Sequence, residues 1–374
     1  VGTGGKTVAM TGRISTERKR CSMNIGEIRK RIDHVDQEII RALDRRMELA
    51  LRLKRLKPGI REPERESKVF ENIRALSRGV MRPEFSEGLY RAIMDESRRV
   101  QQLNLKLIGF QGEHGAHSEA ACRAWEPSCV PIPYGGFSDV FDEVATGQID
   151  LGMVPVENSL EGPVTEVNDL LVETDVKVVG EIAMPIHHCL LVLPHARRGN
   201  LKTVYSHPQA LAQCRGFIAR HKLEARSFYD TAGAAKMLSE ERREDACVIA
   251  NRLCAELYEL KVVNENIEDH ASNTTRFVVL SKQSPGGEGD KCSVIFSLRH
   301  RAGALFAVLK IFSDGGINLT RIESRPTRRE PGTYVFFLDF EGSDRDRKVA
   351  AVLERLRAAV ETLKFLGCYR GWTS

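Results

Sequence analysis

Nowhere in the 374 residues does an unbroken apolar run approach the ~18 residues that a membrane-spanning helix needs. Aromatic residues are scarce at 6% and tryptophan occurs twice. The nine cysteines (21, 122, 129, 189, 214, 247, 254, 292 and 368) include no Cys-x-x-Cys pair, which argues against a disulfide framework or a zinc ribbon and fits a reducing cytoplasm. Neither a Gly-x-Gly-x-x-Gly fingerprint nor a P-loop is present, so no cofactor is implied. His187 and His188 adjoin, and in a strand they point to opposite faces, a poor geometry for a metal, so none is expected. Fifty-six Lys and Arg against 51 Asp and Glu leave a net charge of only +5, partly from a basic leader at 13–20. That is too little for a nucleic-acid footprint and leaves anionic small molecules open.

What is present is enough chain for two or three domains at roughly 150 residues each. Residues 1–23 are rich in Gly, Thr and Arg and lack the apolar core of a secretory signal, so they read as a disordered extension. From 25 to 57 there is no proline, and apolar residues recur at helical spacing through Ile28, Ile32, Val35, Ile39, Leu43, Leu49 and Leu53. A helix of ~50 Å at 1.5 Å per residue is too long for the interior of one small domain, which predicts a bundle whose stripe is completed by a second copy. Amphipathic stretches at 62–76 and 83–103 complete an all-α part at 24–104.

After residue 105 short β-rich runs at 107–110, 150–156, 176–183, 189–193, 246–250 and 277–280 alternate with helical segments. The stretch 105–282 therefore reads as an α/β unit of two lobes, with ligands expected in the cleft at the strand carboxyl ends. Residues 283–291 form a Pro/Gly-rich linker. The remainder, 292–374, spells strand-helix-strand-strand-helix-strand, an α+β ferredoxin-like order.

On a helix wheel Ile39, Arg46 and Lys57 point within ~20° of one another, and Glu62 and Glu66 share the inward face with Val69 and Ile73, with Arg65 alongside. Charges in an apolar stripe need a site or an ion-pair network to offset burial. The stretches IRKRIDHVDQEIIRALDRRMELA, REPERE and SRRVQQ resemble the chorismate mutase helical domain. The resemblance implies that Arg46 binds one substrate carboxylate, that Arg29 is supplied across a dimer to bind the other, and that Lys57 and Gln101 hydrogen-bond the ether oxygen. It also implies that Glu62 and Glu66 face the ring hydroxyl and ether end, and that Arg65 and Ser97 line the site. The connection at 57–61 is about one turn shorter than the family shows, which leaves Lys54 and Arg55 as stand-ins for Lys57.

In the central unit five segments stand at strand ends or helix starts: FQGEHGAHSEAA (110–121), PVENSLEGPV (155–164), SHPQALAQC (206–214), Asp230-Thr231-Ala232, and NTTRF (273–277). The glycines of the first segment could free backbone N–H groups for an anion; each of the others alone could be a cap or a turn. Together and in this order they resemble prephenate dehydratase. The resemblance implies Thr275 as the key catalytic residue, flanked by Arg276 and Phe277, with Ser118, Asn158, Ser159, Ser206, Gln213 and Thr231 lining the cleft. Where the family carries an aromatic before Ser118, this chain carries His117. The two-lobed layout is similar to periplasmic binding proteins.

In the last unit GALF (303–306) and ESRP (323–326) resemble the ACT regulatory domain of phenylalanine-sensitive prephenate dehydratases. That resemblance implies an L-phenylalanine site built by Gly303, Ala304, Leu305, Asn318, Glu323, Ser324, Arg325 and Pro326 between paired domains. The whole chain then reads as a cytoplasmic, homodimeric enzyme converting chorismate through prephenate to phenylpyruvate under phenylalanine feedback, with pairing of dimers into tetramers open. Two rivals stand beside it: a dehydratase whose helical domain only dimerises, and a non-catalytic amino-acid sensor.

Overall fold

The computed structural model describes residues 1–2, 24–56, 59, 62–284, 288–299, 301–326 and 334–372. Lys57, most of the amino-terminal extension and the centre of the linker thus lie outside the described residues. Two compact units are present, residues 1–49 and 50–374.

Helix α1 (Ile25–Leu56) runs from the first unit into the second, as the proline-free apolar period predicts. In the first unit Ile28, Ile32, Val35, Ile39 and Leu49 are all exposed, an apolar stripe along one protomer's surface. In the second unit, α2 (Pro63–Leu76) and α3 (Pro83–Gln102) form an antiparallel hairpin, each opened by a proline whose missing N–H costs nothing in the first turn. The last turns of α1 join this unit through Leu51, which is buried in the core of the following lobe, and through Arg52, which stacks over Tyr134 and reaches Glu143.

The first lobe holds β1 (Leu107–Gln111), α4 (His117–Trp125), β2 (Val130–Tyr134), α5 (Phe137–Thr146), β3 (Leu151–Asn158), the two-residue β4 (Gly162–Pro163), α6 (Thr165–Glu173) and β5 (Lys177–Pro185). The chain then crosses to the second lobe: β6 (Cys189–Val192), β7 (Thr203–Ser206), α7 (Pro208–Gln213), α8 (Arg215–Arg220), β8 (Glu224–Ser227), α9 (Thr231–Glu241), β9 (Ala246–Ala250), α10 (Arg252–Leu257) and β10 (Lys261–Asn264). It returns as β11 (Thr274–Ser281), which inserts antiparallel between β3 and β5 to give the order β2-β1-β3-β11-β5. The second sheet runs β10-β6-β9-β7-β8. The strands not anticipated from sequence are short or lie at sheet edges. β2 carries two prolines, which only an edge tolerates, and β8 is exposed throughout, so it shows no alternation.

The last unit is β12 (Lys291–Leu298), α11 (Ala304–Asp314), β13 (Leu319–Pro326), β14 (Tyr334–Glu341), α12 (Arg347–Ala359) and β15 (Thr362–Tyr369), in an antiparallel sheet ordered β13-β14-β12-β15. It docks on the first lobe through β15. A Cβ on Gly367 would stand 2.2 Å from the Val178 carbonyl oxygen, so only glycine permits this approach. Nearby, the Lys364 ammonium donates to the Leu171 carbonyl at 2.8 Å, at the end of α6. Gly367→Ala should therefore cost about 2 kcal/mol of stability through overpacking against backbone, read as a lower urea midpoint with unchanged slope.

Candidate active sites

Thr275 and Asn158 are register partners on β11 and β3, each 8% exposed. The Asn158 amide Nδ2 donates to Thr275 Oγ1 at 2.9 Å and to Asn273 Oδ1 at 2.8 Å. A hydroxyl has one proton and two lone pairs, so accepting from Asn158 leaves Thr275 with its own proton to donate elsewhere. Asn158 Oδ1 in turn accepts from the N–H groups of Leu160 and Glu161, which closes the turn after β3. Ser159, expected in the cleft, ties the same strand ends together: its Oγ donates to the Ser272 carbonyl and accepts from the Thr274 N–H.

The second lobe reaches this pair through Gln213. Its Oε1 accepts from Asn273 Nδ2 at 3.0 Å and lies 2.8 Å from His188 Nε2, while its Nε2 donates to Glu161 at 3.1 Å. Because that carbonyl oxygen can only accept, His188 carries its proton on Nε2, and its buried Nδ1 has no partner among the described residues. The His117 ring meets His188 edge to face at 5.6 Å, and its Nε2 is likewise buried and unpartnered. Burial, reinforced by His188 and His187, pushes the His117 imidazole down to about 3; burial also lowers His188. His187 and His188 lie in the connection between β5 and β6 rather than in a strand, and His187 pairs with Glu268 at 2.7 Å.

Several sequence expectations are corrected by geometry. The glycine loop before α4 does not leave its N–H groups free: Gly112 donates to the Tyr134 carbonyl and Gly115 to the buried Glu119 carboxylate. It serves the approach of the lobes instead, since Gly115, at a φ of +94°, has no room for a Cβ beside the Cys254 sulfur. The Ser206 hydroxyl turns inward to the Ile249 carbonyl rather than to a cleft. Phe277 is core, packed among residues such as Ile108, Phe110 and Met153. Arg276, expected beside the Thr275 hydroxyl, projects to the other face of β11 and binds Glu181. Ser118 and Thr231 stand in the first turns of α4 and α9, one from each lobe.

In the helical part Ser97 and Gln101 sit one turn apart on the buried side of α3, and Gln101 Oε1 is buried without a hydrogen-bond partner among the described residues. Glu66 accepts from Arg98 at 2.8 Å, a residue adjoining Ser97 that sequence reasoning passed over. Glu62 and Arg65 are exposed rather than inward, because the helix starts at Pro63 and Glu62 is its non-helical cap. The stand-ins for Lys57 are engaged elsewhere: Lys54 donates to the Leu103 carbonyl and Arg55 holds Asp150 with two bonds of 2.7 and 2.9 Å. Arg29 is exposed and Arg46 half-buried in the first unit.

In the last unit Glu323 and Arg325 are also committed. Glu323 accepts from Asn168 and Arg321, and Arg325 donates to Thr165 and Asp169 of α6, so these side chains face the first lobe, while Ser324 and Pro326 remain exposed. Gly303 caps α11 at a φ of +78°, Ala304 and Leu305 pack on the core of this unit, and the Asn318 carbonyl accepts from Glu341.

The comparisons with known proteins divide the chain in the same order. Residues 28–102 match chorismate mutase type II, 108–285 match prephenate dehydratase and 293–358 match the ACT domain. A bifunctional chorismate mutase/prephenate dehydratase of Pseudomonas aeruginosa is 36% identical, the alignment spanning 91% of this chain and 96% of that protein. The chain belongs to the bifunctional chorismate mutase/prephenate dehydratase family. Among solved structures, a prephenate dehydratase from Arthrobacter aurescens in complex with L-Phe is 32% identical with a TM-score of 0.66, covering 71% of this chain and 89% of that one. A structure described as GqqA, a quorum quenching acylase, is 34% identical with a TM-score of 0.67, covering 71% and 98%. The enzyme thus joins an isomerase to a lyase and carries an ACT domain behind them.

The two buried imidazoles generate a pH prediction. Their folded values lie below the unfolded one, so the unfolded chain binds more protons on acidification, and stability falls as pH drops below about 6.5. His117→Phe should flatten this loss by up to about 1.4 kcal/mol per pH unit between pH 6.5 and 4, measured by urea unfolding at several pH values.

Proposed function

We propose that this chain rearranges chorismate to prephenate and then converts prephenate to phenylpyruvate, with Thr275 as the general acid of the second step. The module limits that go with this are 24–104, 105–282, a linker at 283–291 and 292–374. The first reaction is a pericyclic shift that needs no nucleophile. Fixed cations such as Arg29 and Arg46, with Lys57 and Gln101 on the ether oxygen, stabilise the negative charge that grows there. Ser97 and Glu66 would line that site. Its division between protomers, and the exposed apolar stripe of α1, support a homodimer.

In the second reaction the carbon–oxygen bond to the ring hydroxyl breaks as that oxygen takes a proton and leaves as water. The electron pair of the ring–carboxylate bond moves into the ring, and carbon dioxide departs. A threonine hydroxyl is too weak an acid to give up a free proton beforehand, so transfer accompanies bond cleavage, and the alkoxide then regains a proton from solvent. The observation that carries this reading is the Asn158–Thr275 hydrogen bond, in which Thr275 Oγ1 accepts and so keeps its own proton for another partner. Burial keeps His117 and His188 neutral beside the amide chain that leads to Thr275.

We further propose that L-phenylalanine is the effector of the ACT domain, bound near Gly303 and the exposed face of β13, and that the enzyme works in the cytoplasm. The two-lobed, binding-protein-like cleft and the ferredoxin-like sensor belong to the same proposal.

Incubating the purified chain with chorismate, and separately with prephenate, distinguishes the readings. Phenylpyruvate from both supports the full sequence, from prephenate alone a dimerising helical domain, and from neither a sensor. Thr275→Val should lower dehydratase turnover by at least about 100-fold while mutase turnover stays unchanged; equal dehydratase turnover removes Thr275 from the chemistry.

A further inference from the structure

Asn158 and Thr275 face each other across β3 and β11, and so, on the opposite side of the sheet, do their chain neighbours Glu157 and Arg276. That opposite side is where the ACT domain sits. The Arg276 guanidinium donates to Glu181 Oε2 on β5 at 2.7 Å and to the Tyr369 hydroxyl on β15 at 3.3 Å. It also lies 2.7 Å from Asp339 Oδ2 on β14, a charge contact whose alignment falls short of a hydrogen bond. Each member of the cluster is itself held. Lys291 of β12 donates to both Glu181 oxygens at 2.8 and 3.0 Å, and Ser293 donates to Asp339 Oδ1 at 2.6 Å. The side chains of Arg276, Glu181, Asp339 and Lys291 are 17, 6, 4 and 15% exposed, so two cations and two anions balance out of water. Glu157 is held more loosely, 3.8 Å from Arg321 of β13.

We infer that Arg276 is a positioning residue for dehydration: Glu181 of the first lobe and Asp339 of the ACT domain clamp its guanidinium, and this holds β11 in the register that sets the Thr275 hydroxyl against Asn158. The inference rests on the reading of Thr275 as the acid. Its physical ground is rigidity. One residue of β11 carries the reacting hydroxyl and the next carries a buried, fork-shaped cation with partners on two domains, so a shift of the ACT domain is transmitted to the hydroxyl through a single peptide unit. Arg276 makes no approach to the hydroxyl of Thr275, which distinguishes positioning from direct polarisation of the acid.

The test uses the full chain and reads both activities in one preparation. Asp339→Asn keeps the shape and removes the charge, and it lies in a domain that holds neither reaction's proposed residues. Its dehydratase kcat should fall on the order of 100-fold, as expected for displacement of a reacting group, with KM for prephenate changed by less than about twofold and mutase turnover unaltered. Asp339→Glu, which restores the carboxylate, should recover most of the loss. Should Asp339→Asn not fold, Lys291→Met, which strips the second cation from Glu181, should give the same split in milder form. An unchanged dehydratase kcat, or a parallel fall of mutase and dehydratase turnover, would overturn the inference. Thr275→Val separates the two levels: if it abolishes dehydration while Asp339→Asn does not affect it, only the positioning role fails, whereas an active Thr275→Val removes the reading beneath it.

Discussion

The insertion of β11 between β3 and β5 is the constraint on which the dehydratase part depends. The chain leaves the first lobe after β5, builds the second lobe, and returns to fill the slot between two strands already placed. Hydrogen bonds run along both edges of β11, with a register shift at Arg276–Phe277, and a slip of one residue would exchange its two faces. Those faces differ sharply in chemistry. One presents Thr275 to the Asn158 amide, and the other drives Arg276 into a cluster of carboxylates shared with the ACT domain.

Docking of the carboxy-terminal domain combines apolar contacts, in which Ile295, Phe337 and Leu366 join the core of the first lobe, with this charge cluster. A buried ion-pair cluster adds little net stability compared with apolar packing, because each charge loses its hydration, but a cluster left half-formed is costly. Docking is therefore specific: only one placement of β14 and β15 supplies Asp339 and the Tyr369 hydroxyl to Arg276 and leaves Gly367 against Val178. The same economy is seen on β13, where Glu323 and Arg325 spend their charges on α6. The exposed residues of that strand are Thr320, Ile322, Ser324 and Pro326.

Across the lobes the polar chain from Thr275 through Asn158, Asn273 and Gln213 to His188 contains no charged group until Glu161. Amides suit this place because each both donates and accepts, so the chain can span the lobes without a buried ion. The two imidazoles beside it stay neutral for the same reason: nothing nearby compensates a positive charge strongly enough to overcome burial.

Much of this was legible in the sequence, and the physical reason is periodicity. The proline-free apolar repeat determined α1, and the switch to short β-rich runs after residue 105 marked the first lobe, because buried strands and amphipathic helices write their period into the chain. The five polar segments, taken in order, carried the resemblance to prephenate dehydratase that pointed to Thr275 and Asn158, although each segment alone could have been a cap or a turn. Edge strands β2 and β8 were not legible, as an edge imposes no apolar alternation. Only the tertiary structure decided that Arg276 faces Asp339 rather than the Thr275 hydroxyl, that Gly112 and Gly115 use their N–H groups within the fold, and that Glu323 and Arg325 bind α6. A one-dimensional pattern says which face of a strand a residue takes relative to its neighbours, but which domain comes to lie on that face is settled by packing between segments far apart in the chain.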